Sequence, residues 1–104
     1  VMKNTTAASI FSRPTESLNQ DKVSMGTTAA NDFSKMIPDL YNMLSIAFIG
    51  MAQAVDIRGK DLVSPHLKNI YENIRKDVKP LYEDRRMDFD IEKIYTLIEE
   101  KKFI

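Results

Sequence analysis

The chain has 104 residues, of which 43% are hydrophobic and 29% are charged. These proportions are normal for a folded protein, and the length allows at most one ordinary domain, residues 1–104. Fifteen basic residues balance fifteen acidic ones, so the net charge gives no reason to expect binding to nucleic acid or to an anionic membrane. The absence of cysteine excludes disulfides and thiolate metal sites, and it favours a reducing, cytoplasmic compartment.

Residues 1–20 are predicted to be irregular. Turn-forming residues flank a short apolar piece, and Pro14 disfavours helix at its own position and at the residue before it. The polar segment 19–26 then leads into a long apolar helix. Asn19 or Asp21 is the expected cap of that helix. A polar cluster at a helix N-terminus can also bind an anionic or zwitterionic ligand, so both interpretations stay open.

A long helix is predicted over residues 21–58, because apolar residues recur at steps of three or four. Pro38 lies inside it and is expected to kink the helix or break it into two. Residues 43–52 are apolar on nearly every face, in a run shorter than the roughly 20 residues of a membrane span. We therefore expect this helix at the centre of a multi-helix bundle that other chain segments or subunits complete.

Two shorter helices are predicted after the long one, over residues 64–77 and 89–102. Gly59 suits the left-handed conformation that ends a helix, and Ser64 followed by proline is a typical helix start. The only histidine, His66, falls in the first turn of the second helix, where a surface position is expected. No strand pattern is convincing. The predicted fold class is all-α, with an irregular N-terminal segment.

The residues do not provide a complete active site. A catalytic triad needs a histidine close to a serine and an acid, and a zinc site around one histidine would need several suitably spaced carboxylates. The three glycines are too far apart for a phosphate-binding loop. If the chain takes part in catalysis, we expect it to contribute one wall of a site.

Several separate motifs, in order along the chain, resemble the aromatic amino acid ammonia-lyases, and histidine ammonia-lyase in particular. Residues 13–26 (RPTESLNQDKVSMG) are similar to a Pro-Thr-Ser loop, then a Glu-Asp pair, then Val-Ser-Met-Gly at the start of a long helix. Residues 52–58 (AQAVDIR) are similar to the family's Ala-Gln-Ala-Leu-Asp-Leu-Arg helix end. Residues 64–67 (SPHL) and 83–92 (EDRRMDFDIE) continue the match.

The resemblance implies the C-terminal portion of a larger enzyme that eliminates ammonia from an aromatic L-amino acid. Such enzymes use an electrophilic methylidene-imidazolone formed from an internal Ala-Ser-Gly. They are mainly helical homotetramers whose active sites combine several subunits around long helices. The 104 residues contain no Ala-Ser-Gly, so the group would form elsewhere in the parent chain. A start at Val1 before Met2 also indicates a fragment, which is expected to be inactive alone.

Gln20, with Asn19 beside it, is the residue that the resemblance places at the substrate pocket. Histidine ammonia-lyases usually carry glutamate at the position of Gln20, whereas phenylalanine and tyrosine lyases and aminomutases usually have Asn-Gln-Asp, as here. A neutral amide cannot act as a base. This difference counts against histidine as the substrate. The predicted function is a histidine or aromatic amino acid ammonia-lyase, which would give urocanate from histidine, and the alternative is a tyrosine or phenylalanine ammonia-lyase or aminomutase. A stand-alone non-catalytic helical interaction module and a catalytically dead scaffold remain as further alternatives.

Overall fold

The computed structural model describes residues 6–102, which fold as helices and connecting loops. The helices are α1 (Gly26–Arg58), α2 (Pro65–Asp77) and α3 (Asp88–Glu99), with short 3-10 helices at Ala8–Phe11 and Lys60–Leu62. Among the described residues the only strand-like pairing is an isolated bridge, so the predicted all-α class is confirmed.

The long helix begins later than predicted. It starts at Gly26 rather than at residue 21, and its first backbone bond runs from the Ala29 N–H to the Met25 carbonyl, at 2.9 Å. Met25 has a φ of 55°, a left-handed conformation that cannot be part of a right-handed helix. Neither Asn19 nor Asp21 is therefore the cap of α1, and that prediction is wrong.

Pro38 lies inside α1, which continues through it as one helix from Gly26 to Arg58. The break into two helices that its missing N–H suggested does not occur. The chain nevertheless divides into two compact units immediately after this proline, one up to Asp39 and one from Leu40 onward.

The unit from Leu40 onward has a small hydrophobic core. Six buried apolar residues, drawn from the three helices and the residue after α2, form it: Ile49, Ala52, Tyr71, Ile74, Val78 and Ile94. Tyr41 and Tyr95 pack edge to face, with ring centroids 5.5 Å apart, and join α1 to α3. Ser45 is fully buried on the same face of α1, and its hydroxyl donates to the Tyr41 carbonyl at 2.7 Å, which satisfies its polar group.

The second helix follows the prediction, whereas the third ends early. Ser64 caps α2 by accepting from the Leu67 N–H. Helix α3 ends at Glu99 instead of residue 102, because Lys101 takes a φ of 54°. The N–H groups of Lys101 and Lys102 donate to the Ile98 and Leu97 carbonyls, which is the Schellman arrangement with lysine at the position that glycine usually occupies.

Much of α1 lacks cover in this chain. Its exposed large apolar side chains include Phe33, Leu40, Met43, Ile46 and Met51. No charged residue lies between Asp39 and Asp56, and by length and composition alone α1 could cross a membrane. The uncharged run, residues 40–55, extends beyond residues 43–52 but is still shorter than the roughly 20 residues of a membrane span. Core helices of soluble proteins meet the same criterion, and burial against further helices of a bundle would cover these side chains equally well.

Candidate functional site

The segment from Ser12 to Val23 is a loop whose two ends are hydrogen-bonded to each other. The Ser12 hydroxyl donates to the Val23 carbonyl at 2.7 Å and accepts from the Val23 N–H at 3.1 Å. Further in, the Thr15 N–H donates to the Gln20 carbonyl at 3.0 Å, and the Gln20 N–H donates back to the Thr15 carbonyl at 3.2 Å. The loop is therefore closed at two levels, and the backbone of Gln20 is fixed relative to Thr15.

The tip of this loop is a left-handed turn. Glu16, Ser17 and Leu18 have φ values of 53°, 55° and 71°, and the Asn19 N–H donates to the Glu16 carbonyl at 3.0 Å. Each such residue costs about 1–2 kcal/mol relative to a right-handed conformation. Strained backbone of this kind concentrates at functional sites, where the surrounding structure holds it. This observation makes the loop the candidate site.

Asn19 and Gln20, the two residues predicted to bind substrate, lie side by side directly after the strained turn, and both are exposed. The Thr15 hydroxyl donates to the Gln20 Oε1 atom at 3.1 Å. Within residues 6–102, Gln20 Nε2 makes no hydrogen bond, so its two N–H groups are available to a ligand. The amides of Asn19 and Gln20 can offer hydrogen-bond donors and acceptors, but neither is a base or a nucleophile.

A second polar cluster, which the sequence interpretation missed, joins α1 to α2. Asp56 accepts from the Tyr71 hydroxyl at 2.5 Å and from the Arg75 Nε and Nη2 atoms at 2.9 and 2.6 Å. The side chains of Arg75 and Asp56 are only 10% and 14% exposed. Two bonds from one guanidinium to a nearly buried carboxylate form a strong and geometrically specific contact.

The pKa of Asp56 is lowered by this cluster. Burial alone would raise the pKa, but the hydrogen bonds from Tyr71 and Arg75, together with the positive charges of Arg75 and Lys60, outweigh it. Lys60 also lies over the Tyr71 ring, 5.1 Å from its centroid. Asp56 is thus held as a carboxylate, and its role is to fix the two helices together.

Gln53 extends the cluster to the chain that follows α2. Its amide accepts from the Leu81 N–H at 2.9 Å and donates to the Leu81 carbonyl at 3.1 Å. Arg75 in turn donates to the Val78 carbonyl at 3.1 Å. These bonds satisfy backbone groups that have no helical partner, so they fix the course of the chain between α2 and α3.

The first turn of α3 is held by a partly exposed ion pair. Arg85 Nη1 lies 2.5 Å from Asp90 Oδ2, and Asp90 is only 6% exposed. The contact is an ion pair rather than an aligned hydrogen bond, since Oδ2 meets no hydrogen-bond geometry. Because a nearly buried carboxylate requires a partner, the guanidinium of Arg85 balances the charge of Asp90.

An apolar cavity of about 460 Å³ lies between the end of α1, the following 3-10 helix and α2. Its walls include Phe48, Met51, Val55, Leu62 and Ile70. Polar groups that could orient a substrate are few, so the cavity suits packing better than chemistry. His66, in the first turn of α2, is exposed as predicted. Among residues 6–102, no group of acidic or histidine side chains could hold a metal ion.

Residues 1–76, which include the closed loop, all of α1 and most of α2, match the family model described as aromatic amino acid lyase. The chain belongs to the aromatic amino acid lyase family. Other aromatic amino acid lyases are similar over nearly its full length. The probable histidine ammonia-lyase of Thermoplasma acidophilum is 35% identical over 91 residues, 88% of this chain and 18% of that protein. The histidine ammonia-lyase of Legionella pneumophila is 36% identical over 95 residues, 91% and 19% of the two chains.

The fold is also similar to a solved structure within the same range of sequence identity. The crystal structure of a tyrosine aminomutase from Streptomyces globisporus superposes with a TM-score of 0.76 at 37% identity, covering 92% of this chain and 18% of that chain. The present chain therefore spans about a fifth of the length of the relatives it matches. The histidine ammonia-lyases and the tyrosine aminomutase agree with the family assignment, but their names state different reactions.

Proposed function

We propose that this chain is the C-terminal part of an enzyme that eliminates ammonia from an aromatic L-amino acid, and that its loop 12–23 forms one wall of the substrate pocket. The observation that carries the proposal is the strained, doubly closed loop that presents Asn19 and Gln20. The loop lies inside the segment that matches the family model.

The chemistry of the loop fits substrate binding rather than bond breaking. The amides of Asn19 and Gln20 are neutral, so they can orient the substrate by hydrogen bonds without moving a proton. The methylidene-imidazolone group of the family would supply the electrophile. Because no Ala-Ser-Gly occurs in the 104 residues, that group would come from another part of the parent protein, and this chain alone would be inactive.

The exposed apolar side chains of α1 support a place in a larger assembly. Six of them, the five named above and Ile57, are more than half exposed. A helix with so much exposed apolar surface gains stability by packing against further helices. We propose that the remainder of the lyase chain and other subunits of a cytoplasmic homotetramer provide those helices. The same surface would serve a non-catalytic helical interaction module, which is the competing proposal.

The substrate is proposed from Gln20. A neutral amide cannot take a proton from an imidazolium ring, so tyrosine or phenylalanine is a substrate as plausible on chemical grounds as histidine. The two kinds of relative divide in the same way, since two are named histidine ammonia-lyases and one is named a tyrosine aminomutase.

The test is a substrate panel on the intact parent protein. Incubation with L-histidine, L-tyrosine or L-phenylalanine is expected to release ammonia and an aryl acrylate, detected by its ultraviolet absorbance; urocanate is the product from histidine. An isomeric β-amino acid, detected by chromatography, would identify an aminomutase. The variant Gln20→Ala is expected to lose most of this activity, and Lys68→Ala, on the exposed face of α2, is the control. Absence of every product from all three amino acids would overturn the proposal.

A further inference from the structure

We propose that Thr15 is a positioning residue that fixes which face of the Gln20 amide meets the substrate. This inference rests on the proposed function of the loop and extends it to a residue outside the Asn19–Gln20 pair. Its basis is one contact, in which the Thr15 hydroxyl donates to Gln20 Oε1 at 3.1 Å.

The direction of that hydrogen bond decides the orientation of the amide. The side-chain oxygen of Gln20 can only accept, and its nitrogen can only donate. Because the threonine hydroxyl approaches the oxygen, the NH₂ group faces away from Thr15. Gln20 is thereby presented as a hydrogen-bond donor, and the matching substrate group is an acceptor, such as a carboxylate, a phenol oxygen or an unprotonated ring nitrogen.

The backbone around the two residues makes this contact specific. Thr15 and Gln20 exchange two backbone hydrogen bonds, of 3.0 and 3.2 Å, which hold their Cα atoms opposite each other. Glu16, Ser17 and Leu18 all have positive φ. They reverse the chain tightly enough for Thr15 and Gln20 to form these two backbone bonds. The side-chain bond therefore forms between two residues whose backbones are already fixed relative to each other.

The hydrogen bond between Thr15 and Gln20 can also be removed without changing the backbone of the loop. Replacing the hydroxyl by a methyl group in Thr15→Val keeps the β-branched shape and both backbone bonds, and removes only the side-chain donor. In Thr15→Ser the donor is retained. Thr28→Val is a matched control, because Thr28 is an exposed threonine in the first turns of α1 and has no part in the loop.

The kinetic test uses the intact parent enzyme and the amino acid that it converts best. Thr15→Val is expected to lower kcat/KM about fivefold, the usual net effect of one neutral hydrogen bond, while Thr15→Ser restores most of the loss. In a Gln20→Ala background, Thr15→Val is expected to have no further effect, because the group that it positions is absent. An undiminished kcat/KM in Thr15→Val, or an equal loss in both backgrounds, would overturn the positioning role.

A structural readout separates this inference from the proposed function. In crystal structures of the parent protein, Thr15→Val is expected to leave the backbone pair intact while the Gln20 amide turns or loses its single orientation. That result in a protein without lyase activity would retain the positioning role and refute the proposed reaction. An unchanged Gln20 side chain in Thr15→Val would refute the positioning role whatever the activity.

Discussion

Asp56→Asn is the substitution expected to destabilise the unit from Leu40 onward most. Asp56 accepts three hydrogen bonds from Tyr71 and Arg75, and asparagine removes the negative charge that balances the guanidinium. Breaking a buried ion pair by removing one partner costs about 3–5 kcal/mol. We expect a cost at the lower end of this range, because the Asp56 side chain is 14% exposed and asparagine still offers one acceptor.

A decrease of about 3 kcal/mol in the free energy of local unfolding raises the equilibrium constant for local unfolding roughly 150-fold. Amide hydrogen exchange on the intact protein reads this change locally. Protection is expected to fall by that factor across the end of α1, the end of α2 and the chain up to Leu81, where the cluster makes its contacts.

Two further variants make the measurement decisive. Asp32→Asn removes an exposed ion pair of 3.9 Å in α1 and is expected to change exchange by less than threefold, because exposed pairs contribute little. Asp56→Asn combined with Arg75→Gln is expected to be less damaging than the sum of the single variants, since no unpaired charge remains. Exchange in Asp56→Asn within threefold of the original protein would refute the reasoning.

Three other outcomes are expected. The pKa of Asp56 is lower in the folded protein than in the unfolded chain. The stability that Asp56 contributes to the fold is therefore complete above the unfolded carboxylate pKa of about 4, and it is lost as the pH falls through the lower folded value. A pH series of amide exchange that shows no loss of α2 protection below pH 4 would contradict this. Gln20→Glu, assayed on the substrate panel, is expected to raise the preference for histidine over tyrosine, and an unchanged ratio of kcat/KM values would count against a place for Gln20 at the pocket. Lys101→Gly is expected to stabilise the last turn of α3 by about 0.5–1 kcal/mol, since glycine takes the observed φ of 54° without strain; faster exchange at Lys102 in that variant would contradict the Schellman end.

Elements with a local chemical signal were predictable from the sequence. Ser64 followed by Pro65 marks the start of α2, which begins where predicted. The positive φ of Gly59, 105°, agrees with the expected end of α1. The start of α1 and the end of α3 were not predictable, because Met25 and Lys101 take left-handed conformations that their residue types rarely adopt.

The candidate site was only partly predictable. The resemblance pointed to Asn19 and Gln20, but the hydroxyl of Thr15 reaches Gln20 only because three intervening residues reverse the chain with positive φ. The Asp56–Arg75 contact joins residues that are nineteen positions apart on different helices, so no local pattern defines it. A partial signal was present, since Asp56 ends the uncharged stretch of α1, and a charge next to an apolar face needs a partner.

Loop 12–23 is proposed to form one wall of an aromatic amino acid pocket. A crystal structure of the intact parent protein with its aryl acrylate product bound tests it most directly. In that structure Gln20 Nε2 is expected within hydrogen-bond distance of the ligand, about 3 Å, with Oε1 still facing Thr15. An aryl acrylate bound away from this loop would contradict it.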